Sequence, residues 1–167
     1  FSIYRAPFRE QQFNWVGKLD DNIHYFYALR SDTATHASTE AASKKLITAV
    51  ISGSYEDKQL SARGYKNLMR VSNAKQVVNM LFSHRIDLLF GSEVTITNLV
   101  IESGKPTSEI IRVFPMKNWG EGLFIAFNRN SDAELVKKYQ RAYQTLLDDG
   151  VIAKLKREYF KFNFIAP

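Results

Sequence analysis

The chain has 167 residues, 45% of them hydrophobic and 24% charged, and its 23 Lys and Arg outweigh 17 Asp and Glu to give a formal charge of +6. That length holds one ordinary domain or two small lobes. It contains no cysteine, which excludes a disulfide framework and a thiolate site and slightly favours an exported protein, and no apolar run approaches the ~18 residues a membrane-spanning helix needs.

Residues 1–22 are irregular in pattern. Phe1-Ser2-Ile3-Tyr4 reads as a strand and Ala6-Pro7-Phe8-Arg9 as a turn, because Pro7 fixes its own φ and restrains Ala6. Phe13, Trp15 and Val16 alternate with Asn14 up to Gly17, and the aromatic run His24–Leu29 has strand character. The abrupt start at Phe1 suggests a processed or partial product.

From residue 38 the alternation becomes regular. Ser38 or Thr39 caps a short helix to Lys45, and Ile47–Ile51 reads as a buried strand. Ser52-Gly53-Ser54 then feeds a helix over Tyr55–Arg63, closed by Gly64. A strand entering a helix through small residues points free backbone N–H groups outward, which suits a carboxylate; an ordinary strand–turn–helix link reads the same way.

Leu68–Val71 is a short strand, and Ser72 caps a helix over Asn73–Ser83 with Val77, Val78, Leu81 and Phe82 on one face. Ile86–Phe90 reads as another buried strand, Glu93–Ser103 as a helix ended by Gly104, and Ile110–Phe114 as a strand. Strands alternating with helices predict an α/β fold with a doubly wound parallel sheet. After Gly120 and Gly122, Leu123–Phe127 is a further strand. Ser131-Asp132-Ala133-Glu134 has capping-box spacing, with Ser131 as N-cap. The helix it opens carries Leu135, Tyr139, Ala142 and Leu146 in a stripe, and a second helix places Val151, Ile152, Leu155 and Tyr159 on one side. The tail Lys161–Pro167 reads as peripheral. Two amphipathic helices after a complete α/β unit need a surface to cover, and the first 22 residues are too few to bury both.

The basic residues are scattered over helical stretches such as Lys44-Lys45, Lys137-Lys138 and Lys154-Lys156-Arg157, without a dense arm or a nucleic-acid motif. No phosphate-binding glycine loop, nucleophile elbow or metal-spaced histidine pair is present; His24, His36 and His84 stand far apart. Asp87 reads as a residue that bonds neighbouring loop backbone or Arg85. No catalytic constellation, metal site or cofactor is expected. What remains are polar groups at strand ends: Ser52, Gly53 and Ser54 after one strand, Gly91, Ser92 and Glu93 after another. Both sets belong at the carboxyl edge of one sheet, where open α/β folds bind ligands. Arg9 adds a guanidinium fork suited to a carboxylate.

These phrases, in this order, resemble the family 3 extracellular solute-binding proteins, the polar amino-acid binders of ABC importers. Ala6-Pro7-Phe8-Arg9 with Phe13-Asn14-Trp15 resembles the family's Thr-Pro-Glu-Arg and the Val-Asp-Phe-Ser-like stretch after it; Ala49–Ser54 resembles its strand ending in Gly-Thr or Gly-Ser. Ser72-Asn73-Ala74 through Leu81 to His84-Arg85-Ile86-Asp87 is similar to the helix leading to Gly-Arg-x-Asp-Ala. Phe124–Phe127 with Ser131–Leu135, and Leu147 through Gly150–Leu155 to Tyr159-Phe160, resemble the closing strand and helices.

The resemblance implies a type II periplasmic-binding-protein fold of two α/β lobes closing on ligand about a hinge. Residues 1–22 would be a remnant of lobe 1 leading into the hinge, 23–120 a complete lobe 2, and 121–167 the return to lobe 1. The opening β-α-β part of lobe 1 would then be absent, and pairing or swapping with another chain could complete it. The implied setting is periplasmic or otherwise extracytoplasmic, with a possible lipid anchor, an ABC permease as partner and a small molecule as ligand.

Carried across, Arg9 matches the arginine that grips an α-carboxylate, and Ser54 the hydroxyl residue that assists it beside Ser52 and Gly53. Four positions depart: Ser92 stands where the family has an acid for the ammonium group, with Glu93 one position on; Tyr55 replaces a frequent small residue; Ala6 replaces a ligand-binding Thr; and Ile51 stands at a position often basic in the family. The implied ligand is therefore a small carboxylate-bearing molecule, an amino acid or related organic acid. A regulatory or ligand-sensing domain of the same fold is the alternative, and a basic nucleic-acid-binding domain a more distant one.

Overall fold

The computed structural model describes residues 1–21, 23–32, 39–117 and 119–159. Ser38, His36 and Lys161–Pro167 lie outside them. The described residues within 1–22 and 118–161 form one compact unit, and those within 23–117 form another.

The first unit is built on three antiparallel strands, β1 (Ser2–Arg5), β2 (Phe13–Asp20) and β8 (Gly122–Asn128), with β8 in the centre. Pro7 opens a single 3-10 turn, Pro7–Arg9, between β1 and β2. β2 continues past Gly17 to Asp20 because it pairs with β8 along its whole length, through two bulges. One face gathers aromatic rings, Phe1 on Phe13, Phe13 on Trp15 and Trp15 on Phe124, with the Arg5 guanidinium 5.1 and 5.0 Å from the Trp15 and Phe124 centroids.

Helix α5 (Ala133–Asp148) lies on β2, and α6 (Val151–Tyr159) follows it. The fit at β2 depends on Gly17: a Cβ there would stand 2.2 Å from the Tyr143 ring, whose hydroxyl donates to the Lys18 carbonyl at 2.5 Å. Asp132, not Ser131, is the N-cap of α5, accepting from the Leu135 N–H at 2.8 Å. The sheet-facing side differs from the expected stripe. Val136 is buried, while Leu135, Tyr139 and Leu146 are 42%, 49% and 42% exposed. A three-stranded sheet is too narrow to cover the full apolar arc of α5.

The second unit has five strands in the order β5 (Leu68–Val71), β4 (Thr48–Ile51), β6 (Leu88–Ser92), β3 (His24–Leu29) and β7 (Ile110–Pro115). Helices α1 (Glu40–Ser43), α2 (Tyr55–Ala62), α3 (Ala74–Phe82) and α4 (Glu93–Glu102) connect them. The sheet is mixed rather than all-parallel. β4 runs parallel to β5 and β6, but β3 is antiparallel to both β6 and β7. Parallel strands need a crossover connection, and the links through α2, α3 and α4 supply it from β4 to β7; β3 stands outside that run.

Its core lies between the sheet and α3 and α4, with Tyr27, Leu29, Val78, Leu81, Leu89, Ile96 and Val100 almost fully buried. Across the sheet, Phe26 meets Tyr65, Phe90 and Phe114 at centroid distances of 5.5, 4.6 and 4.9 Å. Three local expectations shift. Asn73, not Ser72, caps α3, accepting from the Lys75 N–H at 2.9 Å. The strand expected at Ile86–Phe90 begins at Leu88, because Asp87 is spent at the entrance: its carboxylate accepts from the Ile47 N–H at 2.7 Å, and its own N–H donates to the Ile47 carbonyl. His84 takes a left-handed backbone at φ +53 between α3 and that entrance.

Candidate functional site

The carboxyl ends of β4 and β6 lie side by side, and each passes directly into a helix. After β4, Gly53 turns the chain at φ +72, and Ser54 caps α2 by accepting from the Asp57 N–H at 3.1 Å. After β6, Ser92 caps α4, accepting from the Thr95 N–H at 3.3 Å and sharing a hydrogen bond with the Thr95 hydroxyl at 2.9 Å. Serine suits both places because its oxygen replaces the carbonyl that the first turn lacks. Because β3 runs against the others, its first residue reaches the same edge: His24 stands in register with Ser92.

A pocket of about 120 Å³ opens here, bounded by Ser54, Glu56, Ser92 and Thr95 on its polar side and by apolar groups including Ile51, Val77, Ile96 and Leu99. Gly91 also lines it, and a Cβ there would press to 3.1 Å from the Ile96 Cδ1. The space is well above the ~10–15 Å³ that a single water needs by the same measure, room for a side-chain-sized group.

Two carboxylates govern its electrostatics. Glu56 faces the pocket, and its Oε1 lies 3.4 Å from Nε2 of His24, a ring buried against Phe90. Burial raises the Glu56 pKa, but His24, the residue's own backbone N–H and the Ser54 hydroxyl outweigh burial and hold the group below the usual carboxylate range. Asp57, buried one residue on, accepts from the Gly53 N–H at 2.9 Å and from the Arg70 Nε at 3.0 and 3.2 Å. Burial pushes it up as well; the Gly53 N–H, Arg70 and the Ser61 hydroxyl more than reverse that.

Of the residues expected at a site, Ser54 and Ser92 line this pocket together. Ser52 and Gly53 are exposed in the turn beside it; the Ser52 N–H is tied to the Val71 carbonyl at 2.9 Å. Tyr55 is the first residue of α2, half-buried outside the lining. Glu93 is the first residue of α4 and pairs with Arg112 at 3.4 Å rather than lining the pocket. Arg9 belongs to the other unit, where its guanidinium donates to the Tyr4 carbonyl at 3.0 Å and covers the Phe8 ring at 5.1 Å.

Glu56, Thr95 and His24 were not singled out from sequence. An acid in the first turn after a capping serine was a legible cue for Glu56; His24 reaches the edge only through antiparallel pairing, which leaves no local signal. Among the described residues no three His, Asp or Glu side chains gather as a metal site would require, and no helix is long and apolar enough to cross a membrane.

No protein-family model matches the chain, and no curated protein matches it. Solved structures do. An amino acid ABC transporter substrate-binding protein from Streptococcus pneumoniae, bound to L-arginine, superposes with a TM-score of 0.77 at 15% identity, covering 98% of this chain and 67% of that one. A histidine kinase sensor domain with similarity to periplasmic binding proteins gives 0.72 at 16%, covering 98% and 70%. An arginine-specific periplasmic binding protein from Salmonella typhimurium gives 0.71 at 17%, covering 95% and 70%. The chain thus has a mixed α/β fold of the periplasmic-binding-protein kind and spans about two thirds of the length of these neighbours.

Proposed function

We propose that this chain is the ligand-binding part of an extracytoplasmic solute-binding protein, one that captures a small carboxylate-bearing molecule, an amino acid or related organic acid, for an ABC importer. The observation that carries the reading is the pocket at the carboxyl ends of β4 and β6, where two serine-capped helices begin beside an apolar wall. Sheet edges of this kind bind ligands in open α/β folds, and the fold is shared with proteins described as substrate-binding. The role proposed for the pocket is binding, not catalysis. Ser54 and Ser92 are the proposed ligand-facing hydroxyls, with Ser52, Gly53, Tyr55 and Glu93 around them, and Arg9 is the proposed carboxylate grip. The periplasmic setting, the hinge and the permease partner enter through the likeness alone.

A second reading, a ligand-sensing domain, is favoured by the sensor domain among the neighbours. Genes for a permease and an ATPase next to the coding sequence support the transport reading, and a kinase continuation the sensory one. Nucleic-acid binding through the basic surface would show as DNA affinity that falls steeply with salt, and no binding at low salt dismisses it.

The test is a thermal-shift screen of the chain against amino acids and organic acids. A ligand at a hundred times its Kd adds about 2.7 kcal/mol to stability. At least one carboxylate-bearing compound should raise the melting temperature, and Arg9→Met should abolish the shift. No shift from any compound at millimolar concentration sinks the proposal.

A further inference from the structure

We infer that the pocket between α2 and α4 receives an ammonium group on an apolar stem, with Glu56 as its counter-ion, rather than a carboxylate. The inference rests on the solute-binding reading and narrows its ligand.

The start of α2 would ordinarily attract an anion, but the chain has already supplied two. The Gly53 N–H is spent on Asp57, the Asp57 N–H on the Ser54 oxygen and the Ser54 N–H on the Ile51 carbonyl. A ligand carboxylate arriving here would meet Glu56 in the pocket lining, and like charges at such range repel strongly in a partly dry site. A cation meets the opposite situation. Glu56 is about one-third exposed, at 32% of its side chain, and it faces the pocket.

The neighbouring arginines already have carboxylate partners, Arg70 on Asp57 and Arg112 on Glu93. The other charge-bearing group beside Glu56, His24, is a full cation only when protonated. The hydroxyl oxygens of Ser92 and Thr95 offer further acceptors for N–H donors, whereas Val77, Ile96 and Leu99 suit methylenes. A volume of about 120 Å³ leaves room for a short apolar stem with its nitrogen.

Three probes of nearly equal shape test this on the whole 167-residue chain at fixed ionic strength: n-butylamine, 1-butanol and butyrate, followed by thermal shift and calorimetry. The amine should bind at least tenfold more tightly than the alcohol and butyrate should not bind; Glu56→Gln should weaken the amine at least tenfold. Equal binding of amine and alcohol, or an amine affinity unchanged in Glu56→Gln, overturns the inference, and so does a lack of amine binding. Butyrate binding best overturns it while leaving the solute-binding reading intact. Should Glu56→Gln fail to fold, the amine-to-alcohol ratio on the unaltered chain decides alone.

Discussion

The two units solve the same problem with unequal means. The five-stranded unit covers both faces of its sheet and buries Phe26, Tyr27, Leu60, Val78, Leu81 and Leu88 to zero exposure. In the three-stranded unit the buried apolar side chains among the described residues are Ala6, Trp119, Ala126 and Val136, and five large apolar side chains on α5 and α6 stay more than 40% exposed. Layered folds are stable when every apolar face finds a second layer. The five-stranded unit therefore has a self-sufficient core that can hold a pocket at its edge. The three-stranded unit is held by a few specific fits, of which Tyr143 against Gly17 is the tightest. Substitutions in the two units should differ accordingly.

The largest effect should come from Leu89→Ala, which empties a site 1% exposed in the five-stranded core. Chemical denaturation should show a loss of about 3 kcal/mol, within the ~2–5 kcal/mol range for such cavities. Next, Gly17→Val forces a side chain into the Tyr143 ring, and overpacking of this kind costs about 2 kcal/mol. It should also loosen α5 alone, read as faster amide exchange over 133–148 with the five-stranded core unchanged.

Asp57→Asn should cost about 1–2 kcal/mol, because it weakens hydrogen bonds from Gly53 and the half-exposed Arg70. The Asp57 carboxyl titrates below its ordinary value when folded. Its contribution is therefore complete above the unfolded value near 3.9 and is lost as pH falls through the lower folded value. Glu56 acts in the same direction. Acid unfolding curves should flatten in Asp57→Asn, and a curve parallel to the parent's would remove Asp57 from the account. His84→Gly relieves a left-handed backbone at φ +53 and should raise stability by about 0.5–1 kcal/mol, reduced by loss of the 3.3 Å contact to Asp32. The smallest effect belongs to Leu146→Ala, within about 0.5 kcal/mol, since Leu146 is already 42% exposed. A loss there as large as that of Leu89→Ala would mean that the α5 face is covered in solution, and the comparison of the two units would fail.

Much of the fold was legible because burial leaves a period in the sequence. The strands around Val50 and Leu89 and the apolar face of α3 follow from spacing alone. Strand direction leaves no period, so spacing alone does not give the antiparallel run of β3. Neighbouring polar residues compete for caps, and a single position decided between Ser72 and Asn73 and between Ser131 and Asp132. Asp87 sat in an apolar run and read as strand, although its hydrogen bonds to Ile47 keep it at the strand's entrance. The candidate site divides the same way. Ser54 and Ser92 were visible because small polar residues followed apolar strands. Glu56 resembled any solvated first-turn acid, and His24 depended on cross-strand register.

The most direct test of the account is amide hydrogen exchange, residue by residue, on the whole chain with and without the strongest compound from the ligand screen. The account predicts that added protection concentrates at 53–57 and 91–96, the starts of α2 and α4 that flank the pocket. Protection confined to β1, β2 and α5, with those two helix starts exchanging as in the free chain, would contradict it.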